Sequence, residues 1–341
     1  MTQLPVLGDV AAAAEHCSFC PKMCRFACPV AEATGKESVT PWGIDRVIAA
    51  LARGEELTAE ETAPVWACTG CRQCGGACVP GLDLPTHVRA ARAVVAAPPG
   101  VASAGGRDVA PSDGLRDSAT PGAPVVVLAG CRSSDGDALA TVLDAAAIAF
   151  DVVTGPSCCG ARDADIGLPH QALDRRWQLL EQLTEADRIV AADPHCARWL
   201  AVDANDTRVV TLPVFLAEVV AALPVGAGEP TPVAWHDPCW LGRGMTSYVE
   251  ARAVVAAAAG APVLEAEHSH DRAWCAGGGM GYAEADPVGA AEMLRRRAAE
   301  LRATGAAVTV TACPTAAQRL RDAGLDAYDL PGYLASRLQG A

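Results

Sequence analysis

The sequence predicts an α-helical N-terminal domain followed by two repeated α/β units with parallel sheets. Three observations predict it. Two compact cysteine runs lie near the N-terminus, Cys17-x2-Cys20-x3-Cys24-x3-Cys28-Pro29 and Cys68-x2-Cys71-x2-Cys74-x3-Cys78-Val79-Pro80. Helix signals separate the two runs. Beyond them the chain repeats itself, and in each copy short apolar strands alternate with helices, the pattern of a parallel sheet covered by helices.

The cysteine runs point to iron-sulfur clusters. Three closely spaced thiolates grip one cubane while the fourth, just before a proline, reaches its neighbour, so two such runs exchange their last ligands. Cluster I then takes Cys17, Cys20, Cys24 and Cys78, and cluster II takes Cys68, Cys71, Cys74 and Cys28. The first run is one residue longer than the usual spacing, and Val79 is inserted before Pro80 in the second. Zinc knuckles or a disulfide framework are the alternatives. Zinc prefers paired C-x2-C knuckles, whereas eight cysteines in two four-cysteine runs match cluster spacing. Residues 1–98 are therefore expected to form a helical two-cluster ferredoxin domain carrying two 4Fe-4S clusters.

Within that domain Thr40-Pro41 reads as helix cap and first helical position, and Ile44, Val47, Ile48 and Leu51 share one face before Gly54. Thr58 with Glu61 makes a capping box ahead of Val65 and Trp66. Residues 85–97 are helical again, through Val88, Ala91, Val94 and Val95. Residues 99–124 are Gly, Pro, Ser and Asp with little apolar periodicity, the composition of a linker.

The first repeat is expected over 125–229 and the second over 230–341. Val125 to Cys131 matches Val233 to Cys239, Cys158-Cys159-Gly160 matches Cys275-Ala276-Gly277, and Ala192 to Leu200 lies over Ala312 to Leu320. Strands over 188–192 and 307–311 follow helices over 171–185 and 288–302. The cysteines recur at strand C-terminal ends, where open α/β sheets gather ligands. Gly277-Gly278-Gly279 lacks the G-x-G-x-x-G register of a nucleotide loop.

Composition narrows the class. The chain has 341 residues, 15 cysteines and only 4% aromatics, so its cores rest on Ala, Val and Leu. The N-terminal decapeptide lacks the basic and apolar regions of a secretory leader, which predicts a reducing, cytoplasmic setting with cysteines as ligands. A formal charge of -13 argues against a nucleic-acid partner. His16 and Arg25 beside the first run are expected to be solvated surface residues.

Cys131, Cys158-Cys159-Gly160 and Cys196, together with His236-Asp237-Pro238-Cys239-Trp240-Leu241-Gly242-Arg243 and Cys313-Pro314-Thr315, resemble the duplicated cysteine-rich "CCG" domain. That domain occurs in heterodisulfide reductase catalytic subunits, the glycolate oxidase iron-sulfur subunit and the anchor subunit of anaerobic glycerol-3-phosphate dehydrogenase. The family motif per repeat is a lone cysteine, then CCG, then C-x2-C. Here the first copy has Asp193 at the first C-x2-C position, and its remaining Cys131, Cys158, Cys159 and Cys196 suffice for one 4Fe-4S cluster. The second copy keeps Cys239, Cys275 and Cys313, with Ala276 and Ala316 at the other two positions. It is open between an empty site, a 3Fe-4S cluster, and zinc completed by His236, His268 or His270. A vicinal redox disulfide at Cys158-Cys159 is a further alternative.

The resemblance implies an iron-sulfur electron-transfer subunit that passes electrons between a flavoprotein dehydrogenase, or an electron-transfer flavoprotein, and a quinone or other acceptor. A membrane quinone-reducing subunit is a second partner it allows, with the chain peripheral at the inner face of the membrane. The alternative function is a heterodisulfide-reductase-like catalytic subunit acting on a disulfide at the CCG cluster. The incomplete second copy counts against it.

Overall fold

The computed structural model describes residues 4–132, 135–226 and 229–339. They fall into two compact units. One gathers Met1–Gly106 with Gly160–Leu173 and Trp274–Arg297; the other comprises Arg107–Cys159, Asp174–Ala273 and Ala298–Ala341.

The first unit is helical. Helix Leu7–Ser18 carries Cys17 in its last turn. Helix Pro41–Ala52 starts where its cap predicts, with Thr40 Oγ1 accepting from the Gly43 N–H at 3.1 Å. Its buried face, including Pro41, Ile44, Asp45 and Ile48, belongs to a helix that packs against Leu7–Ser18 and Leu84–Arg92. The capping box forms at Thr58, whose N–H donates to Glu61 Oε2 at 2.8 Å. The helix expected over 85–97 ends at Arg92; beyond it Val94 is exposed, while Val95 packs against the Trp66 cluster outside the helix. The segment read as a linker contributes buried side chains at three points. Val101 and Ala104 pack with Trp66 and Ile166, and Leu115, in the short helix Asp113–Asp117, enters the core of the second unit. Single apolar residues so far apart leave no periodic trace in sequence.

Arg92 joins the pieces of this unit. Its side chain is 2% exposed and donates to the carbonyls of Val65 (3.0 Å), Cys68 (3.1 Å), Asp165 (2.8 Å) and Met280. The guanidinium also lies over the Trp66 ring, 4.7 Å from its centre. Nearby, Arg89 pairs with the buried Asp165 at 2.7 Å. The two segments that return from the repeats are thus fixed to the N-terminal helices through polar contacts. Gly279 completes the fit: a Cβ there would stand 2.1 Å from the Thr69 carbonyl oxygen, so only glycine allows the approach.

The second unit holds two parallel sheets. Strands β1 (Val125–Leu128), β2 (Asp151–Val152), β3 (Arg188–Ala191) and β4 (Val209–Thr211) are ordered β2-β1-β3-β4. Strands β5 (Val233–His236), β6 (Val308–Thr311) and β7 (Ala327–Asp329) are ordered β5-β6-β7, and a parallel bridge from Ala234 to Leu264 stands where β2 stands in the first sheet. The pairing registers match as well: Val126 faces Ile189 as Ala234 faces Thr309. Strand β5 is buried along its whole length, as expected for a parallel sheet covered on both faces.

The two repeats share one core. Val127, Val190 and Phe215 from the first lie in the same buried cluster as Trp235, Val254 and Val310 from the second. Their helices are exchanged symmetrically, Gly136–Ala145 packing on Leu330–Gln339 and Val249–Ala259 packing on Leu212–Val219.

Arg92→Met should therefore lower the stability of the chain by about 3 kcal/mol or more, since charge-assisted bonds are worth roughly 1.5–3 kcal/mol each and buried carbonyls are left unpaired. Arg53→Met removes only an exposed ion pair with Glu15 and Glu55, which is worth about 0–1 kcal/mol. Urea midpoints of the two variants measure the difference; equal losses would show that Arg92 does not hold the unit together.

Candidate metal centres

Both cysteine runs build the same turn. Lys22 (φ 64°) and Arg72 (φ 60°) each adopt a left-handed conformation, a short 3-10 turn follows (Met23–Ala27 and Gln73–Ala77), and the fourth cysteine leaves it in an extended conformation. From the left-handed residue onward the two runs match position for position. The extra residue of the first run is thus taken up ahead of the turn, at Pro21. The two turns pack against each other, which carries the last cysteine of each towards the other run.

Cys28, Cys68, Cys71 and Cys74 line one cavity, with Pro29, Ile44, Ala67, Thr69 and Leu84 in its wall. Burial pushes the Cys28 thiol up to about 12, with Cys71 and Cys68 adding to the effect. Cys68 is also raised to about 12 by burial. Cys74 is pushed well above the ordinary thiol range by burial and then by Cys71, Cys68 and Cys28. The Gly70 N–H donates to Cys68 Sγ at 3.3 Å. In the same wall Thr69 is 1% exposed, and its hydroxyl has no hydrogen-bond partner among the described residues. Four thiols around one void, of which Cys28, Cys68 and Cys74 are held neutral by burial, beside an orphaned hydroxyl, fit a metal group that supplies positive charge and sulfide acceptors.

Cys17, Cys20, Cys24 and Cys78 form the second gathering. Cys24 is raised by burial and by Cys78 and Cys20, while the Trp42 backbone N–H donates to it. Cys17 is raised by burial first, then by Asp45, Cys24 and Cys20. The Leu82 N–H donates to Cys78 Sγ at 3.4 Å. Asp45 links this set to a buried histidine, its Oδ1 lying 2.9 Å from His87 Nδ1. Arg25 is exposed and pairs with Glu37 at 3.0 Å.

In the second unit the first repeat brings its thiols together below the C-terminal ends of β1 and β3. The Cys159 thiol donates to Cys196 Sγ at 3.1 Å. Cys196 is pushed well above the ordinary range by that bond, by burial, and by Cys159, Asp193 and Cys131. Cys158 is 2% exposed, and its backbone N–H donates to Asp108 Oδ1 at 3.0 Å. The four cysteines form no disulfide, and Cys159 contacts Cys196 across the sheet end.

The second repeat's three cysteines are divided between the units. Cys239 and Cys313 lie in the second, and Cys275 in the first. Cys313 is raised to about 12 by burial and then by Asp193. Cys275 Sγ accepts from the Gly277 N–H at 3.3 Å. Ala276 and Ala316 are buried. Two of the histidines named as zinc ligands have ring contacts of their own: His268 Nδ1 meets Glu300 Oε1, and His270 Nδ1 lies 3.1 Å from Ser269 Oγ. Asp237, Glu265 and His270 converge closely enough for a cation, and Arg252 already serves that group, bonding both Asp237 oxygens at 2.8 Å and Glu265 at 2.6 Å.

Three residues of these environments escaped the sequence reading: Arg92, Thr69 and Asp45. Asp45 left a signal, a carboxylate beside Ile44 on the apolar stripe of Pro41–Ala52. Arg92 left none, since arginine at the end of a helix is ordinary.

Residues 125–201 and 233–320 each match the cysteine-rich (CCG) domain family. The chain is 37% identical over 92 residues to a probable membrane-anchored ferredoxin of Chromohalobacter salexigens, covering 27% of this chain and 14% of that protein. It is 26% identical over 214 residues to one of the subunits of the CoM/CoB fumarate reductase of Methanothermobacter marburgensis, covering 59% and 42%. It is 24% identical over 192 residues to an uncharacterized iron-sulfur protein of Methanococcus maripaludis, covering 55% and 38%. The chain thus spans less than half the length of each of these relatives. The chain carries two matches to the cysteine-rich (CCG) domain and is similar over part of its length to iron-sulfur proteins.

Proposed function

We propose that this chain is the electron-transfer subunit of an oxidoreductase complex, with 4Fe-4S clusters on Cys17, Cys20, Cys24 and Cys78, on Cys68, Cys71, Cys74 and Cys28, and on Cys131, Cys158, Cys159 and Cys196. One observation carries the reading: the last cysteine of each run stands beside the thiols of the other, Cys28 sharing a cavity with Cys68, Cys71 and Cys74. A disulfide framework or separate zinc knuckles would not need that exchange.

When bound, such clusters supply one-electron couples whose potentials follow burial, net charge and hydrogen bonds to sulfur. The protein's contribution is placement and environment. Backbone N–H groups of Gly70 and Leu82 donate to thiol sulfur, and apolar walls such as Ile44, Ala67 and Leu84 exclude water from the second set. In this reading electrons enter from a flavoprotein dehydrogenase or an electron-transfer flavoprotein and leave to a quinone or another acceptor. No helix among the described residues is long and apolar enough to cross a membrane. A separate quinone-reducing subunit then supplies that contact, with this chain peripheral on the cytoplasmic side.

Cys28→Ser should perturb the electron paramagnetic resonance signal of the Cys68 set, and Cys78→Ser that of the Cys17 set. The reduced, anaerobically prepared variants decide it: if each substitution disturbs only the cluster of its own run, the exchange is wrong.

The first repeat, with four thiols, is proposed to hold a cluster, and the second to lack a four-iron one. Cys159→Ala should remove about one cluster's worth of iron and abolish electron transfer to an artificial acceptor, while Cys275→Ala leaves the iron content unchanged. The reverse pattern in iron analysis would move the working site to the second repeat.

A further inference from the structure

The two cysteine turns share one backbone, yet their surfaces differ. Met23, Arg25 and Phe26 of the first stand where the second has Gln73, Gly75 and Gly76. A Cβ at Gly75 or Gly76 would meet nothing within 4 Å, so these positions of the turn face open space. The fold does not need large side chains there. In the first turn Phe26 is 81% exposed and Met23 55%, and nearby Phe19 is 85% and Val79 96% exposed. Each of the four lies within two residues of Cys20, Cys24 or Cys78, and Cys20 and Cys78 both act on Cys24. Single exposed apolar residues are ordinary, but four around one thiol set mark an interaction site. Phenylalanine and methionine are also the residue types enriched at the centres of protein interfaces.

The fringe of this face is basic. The chain carries a formal charge of -13, yet its only lysines, Lys22 and Lys36, both lie here. Lys22 Nζ sits 3.6 Å from the centre of the Trp42 ring, and the Arg46 guanidinium 5.1 Å from it. Among the described residues no carboxylate pairs with Lys22, Lys36 or Arg46. Lys22 adjoins Met23, and Glu37, next to Lys36, pairs with Arg25 beside Phe26. The cations therefore border the apolar residues.

We propose that Phe19, Met23, Phe26 and Val79 form the docking face for a one-electron redox protein whose own contact surface is apolar and rimmed by carboxylates. The proposal rests on the reading of the Cys17 set as an iron-sulfur centre. One electron passes between that set and the partner's redox group; no bond forms or breaks and no proton moves. Two other occupants fit less well. Recognition of an anionic bilayer takes about four to eight clustered cations, more than Lys22, Lys36 and Arg46 provide. A second copy of the chain would set this basic face against itself.

The test uses the full chain, reconstituted anaerobically with iron and sulfide, and two haem proteins as probes: cytochrome b5, with an acidic rim, and cytochrome c, with a basic one. Phe19→Gln/Phe26→Gln and Lys36→Glu/Arg46→Glu are compared with the unsubstituted chain. Readouts are affinity by calorimetric titration, the rate of haem reduction, iron per chain and the electron paramagnetic resonance signal. The unsubstituted chain should bind cytochrome b5, and more weakly as salt rises. Each double variant should weaken that binding about tenfold, the loss expected when interface anchors are removed. Haem reduction should slow to match, with iron and resonance signal unchanged, and the charge reversal should favour cytochrome c. Binding of cytochrome b5 that neither variant weakens would overturn the proposal, as would no binding at all. Phosphatidylserine vesicles and sedimentation equilibrium test the other occupants. Vesicle binding or dimerisation that Phe19→Gln/Phe26→Gln abolishes, with cytochrome b5 binding intact, would assign the face to a bilayer or to a second copy instead. If cytochrome b5 binds at this face but neither haem is reduced, the docking face stands and the Cys17 set fails as the electron donor.

Discussion

The helical N-terminal unit depends on one buried guanidinium. Arg92 reaches four carbonyls in three stretches of chain that are far apart in sequence: Val65 and Cys68, Asp165, and Met280. Burial lowers its pKa to about 10, with Cys68 and Asp165 working in the opposite direction, so it is cationic at neutral pH. It is that charge which makes four carbonyls worth gathering, because charge-assisted bonds are the strong ones in a low-dielectric interior. Asp165 lies six residues after Cys159, and Met280 five residues after Cys275. The guanidinium therefore fixes the chain downstream of the central cysteines of both repeats.

In each unit the protein buries thiols at sites where a thiolate without compensating charge is unfavourable. Cys28, Cys68 and Cys313 are each pushed to about 12 by burial, and Cys74 and Cys196 well above their ordinary value. Neutral thiols tolerate these sites; thiolates need compensating positive charge. On the proposed assignment, metal loading and consolidation of the fold are coupled, because thiols that must ionise to bind iron stand where ionisation needs compensating positive charge. The orphaned Thr69 hydroxyl points the same way: a buried donor left without a partner is satisfied once a sulfur acceptor arrives.

Much of this was legible in the sequence, and the failures have physical causes. Thr40, Pro41, Thr58 and Glu61 announced their helices because capping is local chemistry. The strands over 188–192 and 307–311 were legible because parallel strands buried on both faces are nearly continuous apolar runs. The paired cysteine turns were visible as spacing, though the role of Pro21 in absorbing the extra residue was not. What stayed hidden was long-range. Leu115, Val101 and Ala104 are isolated apolar residues in a polar segment, and their burial depends on partners elsewhere. The return of 160–173 and 274–297 to the N-terminal unit left only Gly279 as a trace, and a glycine triplet has many uses.

The sharing of one core explains why an incomplete second repeat persists. Trp235, Val254 and Val310 fill the same interior as Val127, Val190 and Phe215, and each repeat's final helix packs on the other's first long helix. Neither repeat closes its core alone. Having Ala276 or Ala316 in place of a ligand leaves that interior intact, since a small apolar residue suits a buried position that a thiol fills in the first repeat. It also removes ionisable groups from a buried site, so the second repeat depends less on metal than the first. The fold thus keeps two halves because packing demands two, while the chemistry at the strand ends is free to differ between them.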